Sequence, residues 1–418
     1  MKKLLILTFL LLAVFQASSV KAEDFFDLKE SVGLDVQPLD YFVSPDKNFI
    51  VYEARMNDEI GYSSQGVFVF DVENRTNTKI EGEFKSFGSS GPIKAVSNSY
   101  VAITEIEYKS WVKIFLINRI LLKMGVEPYI TNVKVFDLEN QTEVTSFKKS
   151  DLLSIVDFSP NSEKLLYQKN ANSSEEVYEI GIYTIDSGSI KTFKNSECDL
   201  LGWFSNEDLL CKQGKFNINN NKLEDIGIGG LDNIISAEWI VANKSLLIRM
   251  RSGPFTIVDV ENKKAIPLDI NNEYGVDYVV SDTGYVEFAF NSGVIDENEN
   301  VLTTIKIYDS KGMLVKSQNI TETRSTGFKP GGVAAGGNYF YSRNYCARDM
   351  AYEMVEYIER VSSLMYKDII DQSTTTIFEL RKSEKSCPGN LIFRSYYDET
   401  RNVYIDLGKN KISFYPIN

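Results

Sequence analysis

The chain has no histidine. It therefore lacks the imidazole on which a Ser-His-Asp or Cys-His nucleophile, or an HExxH zinc site, depends. Most hydrolase mechanisms are excluded with it. Carboxylate pairs can still act as general acid and base, and the chain carries 58 acidic residues against 45 basic ones. Calcium-assisted chemistry is also open to it. Asp296-Glu-Asn298-Glu-Asn300 has the first half of a calcium-loop spacing, but Val301 stands where such a loop needs glycine and Ile307 where it needs its closing glutamate. The stretch reads as a solvated acidic loop, and neither metal nor cofactor is expected.

Four cysteines, Cys198, Cys211, Cys346 and Cys387, allow three disulfide connectivities. If Ser205 to Asp208 form a hairpin turn, Cys211 faces Gly202 and lies about four residues out of register with Cys198, beyond disulfide reach. That spacing favours Cys346 with Cys387, while four buried free thiols stay open as an alternative.

The first 22 residues hold Lys2 and Lys3, an apolar run from Leu4 to Phe15, and small residues ending in Val20-Lys21-Ala22. These are the three parts of a secretory signal peptide, with a cut after Ala22. The apolar run is too short for a spanning helix, which needs roughly 20 residues. The expected destination is the periplasm or the extracellular space, and the expected mature unit is residues 23–418. Net charge is -13, which excludes nucleic acid as the natural partner because phosphates call for a basic surface. The expected partner is an envelope or extracellular protein.

The elements that would position any site recur along the chain. A short apolar run ending in an acidic residue, followed by a polar turn, appears as Val67-Phe-Val-Phe-Asp71-Val-Glu-Asn74, Val133-Lys-Val-Phe-Asp137-Leu-Glu-Asn140 and Phe255-Thr-Ile-Val-Asp259-Val-Glu-Asn262. Shorter copies are Ile182 to Asp186, Ile305 to Asp309 and Val403 to Asp406. Upstream lies a second hairpin, seen in Phe42-Val-Ser-Pro-Asp46 to Tyr52 and Phe158-Ser-Pro-Asn161 to Tyr167, where Pro presets the bend and the Asx side chain closes it. Two hairpins make a four-stranded unit, and repetition of that unit predicts an all-β protein, a single β-propeller.

Ser44-Pro45-Asp46 with Tyr52, and Ser159-Pro160-Asn161 with Tyr167, resemble the Ser-Pro-Asp-Gly repeat of TolB-type propeller blades. Both copies lack the glycine of that repeat. Val280-Ser-Asp282-Thr-Gly284 approaches the Asp-box of sialidase propellers with its serine one place out of register, and reads as another turn. Counting units gives about seven blades, with six to eight allowed: 38–83, 84–148, 149–194, 195–228, 229–270, 271–320 and a longer region 321–418. The stretch Asp27 to Val36, or Lys411 to Tyr415, is expected to supply a strand that closes the ring.

Two insertions, 107–131 and 346–373, fall between the second and third strands of their blades and so share a face. The second is expected to be a helix, because Ala351, Met354, Val355, Ile358, Val361, Met365 and Ile369 recur at helical spacing. The first is apolar nearly all round and needs cover by the blades, by a partner, or by peripheral contact with a membrane surface. Trp111, Phe115, Arg119, Tyr352, Tyr357 and Arg360 are the candidate binding residues. The expected function is non-enzymatic binding of a protein or ligand through this face; the alternative is a carboxylate- or calcium-dependent enzyme acting on a glycan or lactone.

Overall fold

A computed structural model describes residues 24–57, 63–82, 91–108, 129–149, 153–169, 179–194, 197–231, 233–271, 276–295, 301–322, 327–333, 339–347, 358–367, 374–384 and 395–416. The described strands form eight four-stranded antiparallel sheets. Numbered as blades with strands a to d from the inside outward, blade 1 is Asp35–Val43, Phe49–Asn57, Ser63–Asp71 and Thr76–Lys79. Blade 2 is Ile93–Val96, Tyr100–Tyr108, Tyr129–Asp137 and Glu143–Lys149. Blade 3 is Leu153–Phe158, Lys164–Lys169, Glu179–Thr184 and Ile190–Lys194. Blade 4 is Leu200–Trp203, Asp208–Cys211, Gly214–Asn217 and Lys222–Glu224. Blade 5 is Ile234–Val241, Ser245–Met250, Pro254–Asp259 and Lys264–Asn271. Blade 6 is Asp277–Ser281, Tyr285–Ile295, Val301–Asp309 and Leu314–Glu322. Blade 7 is Gly327–Val333, Tyr339–Ala347, Ile358–Lys367 and Thr374–Glu384. Blade 8 is Ser395–Asp398, Val403–Gly408 and Lys411–Pro416, with Asp24–Asp27 as its d strand.

From blade 1 to blade 8 each a strand touches the next a strand, and strand b of blade 8 meets strand a of blade 1, so the sheets form a ring. The core fills the slots between blades, and that explains the strand sequences. In Phe49-Ile-Val-Tyr52, Phe49 and Val51 pack into the slot toward blade 2, whereas Ile50 and Tyr52 pack into the slot toward blade 8. A strand buried on both faces reads as a continuous apolar run, with its side chains alternating between two cores. The a strands carry bulges at Pro38/Asp40, Ile93/Ala95, Ile155/Asp157, Leu200/Gly202 and Ile234/Ser236, which sharpen the twist where blades crowd the axis.

The repeated Asp-Φ-Glu-Asn pattern builds the turn from strand c to strand d. Asp71, Asp137 and Asp259 accept the N–H of Asn74, Asn140 and Asn262 at 2.8, 2.8 and 3.0 Å. The next residues, Arg75, Gln141 and Lys263, are left-handed, with φ of 52, 53 and 52°. These acids cap the turns. The sole helix among the described residues, α1 (Leu28–Val32), starts on an Asp27 cap and ends at Gly33, whose φ of 76° suits glycine.

The helix expected across 351–369 is overturned at Ile358–Lys367, which is a strand paired on both sides. A short run with Ile, Val, Leu, Met and Tyr fits helical and strand periods alike, and two waiting neighbours decide it. Ala351, Met354, Val355 and Ile369 lie outside the described residues, as do 109–128 of the first insertion. Making 358–367 a c strand also divides the long region 321–418 between two blades, which accounts for a count at the upper end of six to eight.

The spacing argument against Cys198 with Cys211 is also overturned: the two form a disulfide with Cα atoms 5.2 Å apart. A bulge at Leu201 sets Cys211 opposite Leu200, not Gly202. The ladder then ends, and the chain turns so that the Lys212 N–H donates to the Asp199 carbonyl at 2.8 Å. Cys346 faces Arg360 in the register of blade 7, and Cys387 lies outside the described residues.

Candidate functional site

Strand direction alternates outward, so a–b and c–d turns share one face of the ring and b–c and d–a connections the other. At the a–b face the Ser-Pro-Asx turns act as stitches. The Ser44 hydroxyl donates to Asp46 Oδ1 at 2.6 Å and accepts the Phe49 N–H at 2.9 Å. Ser159 repeats this with Asn161 at 2.8 Å and Lys164 at 3.0 Å. The N–H groups of Asp46 and Asn161, freed from the turn, donate to Asn98 and Asn206 of the next blade, both at 2.9 Å. Lys47 and Ser162, where the repeat carries glycine, are left-handed, with φ of 60 and 64°. The glycine geometry is kept without the glycine.

Lys47 gathers acids from two other turns: Asp282 at 2.6 Å and Glu399 in direct contact. Burial works against its charge, but the two carboxylates outweigh it and hold the ammonium above its usual range. Between blades 1 and 2, Asp40, Glu53 and Lys94 form a second group. Glu53 is buried in strand b of blade 1, and burial together with Asp40 raises its pKa. Burial lowers that of Lys94, against the pull of both acids. Asp157, on strand a of blade 3, is exposed to solvent although protein groups crowd its carboxyl. That enclosure pushes its carboxyl up to about 6, opposed by the Phe158 N–H. Its carbonyl accepts from the Trp203 indole at 3.2 Å, and the Trp203 carbonyl accepts from Trp239 at 3.3 Å, which links blades 3, 4 and 5 near the axis.

The residues expected to bind are placed less fully. Trp111, Phe115, Arg119, Tyr352 and Tyr357 lie outside the described residues. Arg360 sits on strand c of blade 7 between Cys346 and Lys382. The connections 109–128 and 348–357 both join strand b to strand c. Val280 and Ser281 end strand a of blade 6 and Asp282 to Gly284 form its a–b turn, whereas Asp296 to Asn300 lies outside the described residues. Sequence reasoning passed over Lys47, Glu53 and Asp157. Each had a signal: a lysine at a glycine position, a glutamate in an apolar strand, and an aspartate before an aromatic at the channel. Among the described residues no group of acids, cysteines or histidines is set to hold a metal ion.

The ring of radial four-stranded sheets, closed by a sheet that takes strands from both chain ends, defines a β-propeller. No protein-family model matches the chain, and no curated protein matches it. Among solved structures it is similar to the Pyrococcus horikoshii acylaminoacyl peptidase, at 10% identity and a TM-score of 0.45, over 80% of this chain and 51% of that one. The chain thus spans about half the length of that peptidase. It is also similar to the β-propeller domain of the Trilobed protease from Pyrococcus furiosus (10% identity, 85% and 97% of the chains, TM-score 0.34). The WD40 domain of SCAP from fission yeast is similar at 11% identity over 96% of each chain, with a TM-score of 0.35. These likenesses concern fold and carry nothing about activity.

Proposed function

We propose that the chain is an exported, non-enzymatic β-propeller that binds an envelope or extracellular protein through the face bearing its b–c and d–a connections. The observation that carries this reading is the asymmetry of the two faces. The a–b turns are short and stitched to one another by Asn98, Asn206 and Lys47, whereas the longest connections, 109–128 and 348–357 from strand b to strand c and 80–92 and 385–394 from strand d to the next strand a, all belong to the other face. Loops on a rigid scaffold are where binding concentrates. Export is supported by the signal-like first 22 residues and by the Cys198–Cys211 disulfide, which suits an oxidising compartment. The Ser-Pro-Asx turns support kinship with TolB-type blades, and no helix among the described residues is long and apolar enough to cross a membrane.

The test replaces 349–356 by a Gly-Ser linker and compares what the two proteins recover from the native envelope. Loss of a partner by a folded variant supports the reading. Unchanged recovery by this variant and by one shortened within 110–125 would remove the face as the site.

A second reading, a carboxylate enzyme acting on a glycan or lactone, is favoured by the raised pKa values of Asp157, on strand a of blade 3, and of Glu53, buried in strand b of blade 1. It requires turnover of a chromogenic glycoside or lactone that Asp157→Asn abolishes.

A further inference from the structure

Three a–b turns meet at one mouth of the channel: that of blade 1 with Lys47, that of blade 6 with Asp282 and that of blade 8 with Glu399. Blades 8 and 1 are neighbours in the ring, but blade 6 adjoins neither. A contact between Lys47 and Asp282 therefore spans the opening that the ring encloses. The Lys47 ammonium has three donors, and it meets Asp282 at 2.6 Å, the Tyr397 carbonyl at 3.1 Å, and Glu399. The turns border a cavity of about 350 Å3 lined by Pro45, Asp46, Lys47, Asp282, Thr283 and Glu399, among others.

We propose that Lys47 is a strap across the a–b mouth of the channel, anchored on blade 8 and releasable from blade 6. The two arms differ in exposure. Lys47 and Glu399 are 13% and 18% exposed, whereas Asp282 is 66% exposed. The anchored side is braced further by Arg401. It donates to Asp398 at 2.8 Å, to the Lys47 carbonyl at 3.2 Å and to Asn48 at 2.8 Å, and the Asp398 side chain is fully buried. An exposed arm is screened by salt, and the Debye length falls to about 3 Å at 1 M ionic strength. The Asp282 arm is thus the one that lets go, and the ring stays closed when it does.

The strap concerns the face opposite the proposed binding loops and stands without them, so its test needs no partner. A zero-length carbodiimide couples Lys47 only to acids in direct contact. Peptide mapping of the wild-type protein should show both Lys47–Glu399 and Lys47–Asp282 links at low ionic strength. At about 1 M salt the Asp282 link should fall sharply while the Glu399 link persists. In Asp282→Asn, amide exchange in the turns 44–48 and 281–284 should quicken about two- to fivefold, with melting unchanged. Finding the Glu399 link without the Asp282 link at low salt overturns the proposal, as does unaltered exchange in Asp282→Asn. A variant that loses cooperative melting also overturns it, because the contact would then hold the ring and not its mouth.

Discussion

Ser162 and Lys47 occupy left-handed backbone with a Cβ present, which costs roughly 1–2 kcal/mol against a right-handed alternative. At Ser162 glycine should remove that cost, less the greater chain entropy that glycine loses on folding. Ser162→Gly is therefore expected to raise stability by about 0.5 kcal/mol, read from urea midpoints, with an unchanged slope. At Lys47 the same change would also remove the three contacts of its ammonium, so Lys47→Gly is expected to destabilise. Opposite signs at equivalent turn positions would show that the lysine is retained for its side chain. Asp157 gives a prediction with a pH signature. Its folded pKa, about 6, lies above the unfolded value. The folded state therefore binds the proton more tightly, and this group favours folding below pH 4 and loses that favour as pH rises through 6. Asp157→Asn should accordingly stabilise at pH 7 by up to about 1 kcal/mol, a figure reduced for solvent contact, with the gain absent at pH 4. A gain of equal size at both pH values would mean that the carboxyl is not perturbed.

The individual strands and turns were largely legible. Each Asp-Φ-Glu-Asn pattern marks a c–d turn because the Asp accepts the Asn N–H three residues on, a purely local interaction that any sequence window contains. The Ser-Pro-Asx turns are local in the same sense. What was not legible depended on partners distant in the chain. Ile358–Lys367 is a strand because Tyr339–Ala347 and Thr374–Glu384 flank it, and no window around Val361 holds that information. The disulfide was misjudged for a subtler reason, since one bulge residue, Leu201, shifts the ladder and ends it. Blade 4 has the shortest strands of the ring, from Leu200–Trp203 to Lys222–Glu224, and Cys198–Cys211 ties the chain entering it to its b strand. Closing a loop of 13 residues is worth about 3 kcal/mol by chain entropy. Replacing both cysteines by serine should lower stability by about 2–3 kcal/mol. Exchange should rise first in Leu200–Cys211, and a uniform rise over the whole ring would contradict a local staple.

The ring as a whole is held by closure, and closure joins the two chain ends. Asp24–Asp27 pairs antiparallel with Lys411–Pro416, Asp24 opposite Phe414 and Asp27 opposite Lys411. The sequence points to Lys411 to Tyr415 or Asp27 to Val36 as the closing strand. Lys411–Pro416 is in the closing blade, as its c strand, while Asp24–Asp27, which shares only Asp27 with the other stretch, supplies strand d. Blade 1 grips this seam. The Arg75 guanidinium lies 3.4 Å from the centroid of the Phe414 ring and 3.0 Å from Asp24, and Phe26 packs on Phe70 with centroids 5.0 Å apart. Asn410 adds a backbone clasp, its N–H donating to the Val36 carbonyl at 2.8 Å and its carbonyl accepting from Leu28 at 2.8 Å. A chain beginning at Leu28 would keep the Asn410 clasp but lose the d strand and the Phe26 contact. Its c strand would then present an unpaired edge, which invites association. Relative to a chain beginning at Glu23, the expected loss is roughly 2–4 kcal/mol, from one partly buried aromatic and a short ladder. The shorter chain should also form concentration-dependent oligomers, seen by light scattering. An equal midpoint with a monomeric hydrodynamic size would show that the seam is held by Asn410 and blade 1 alone.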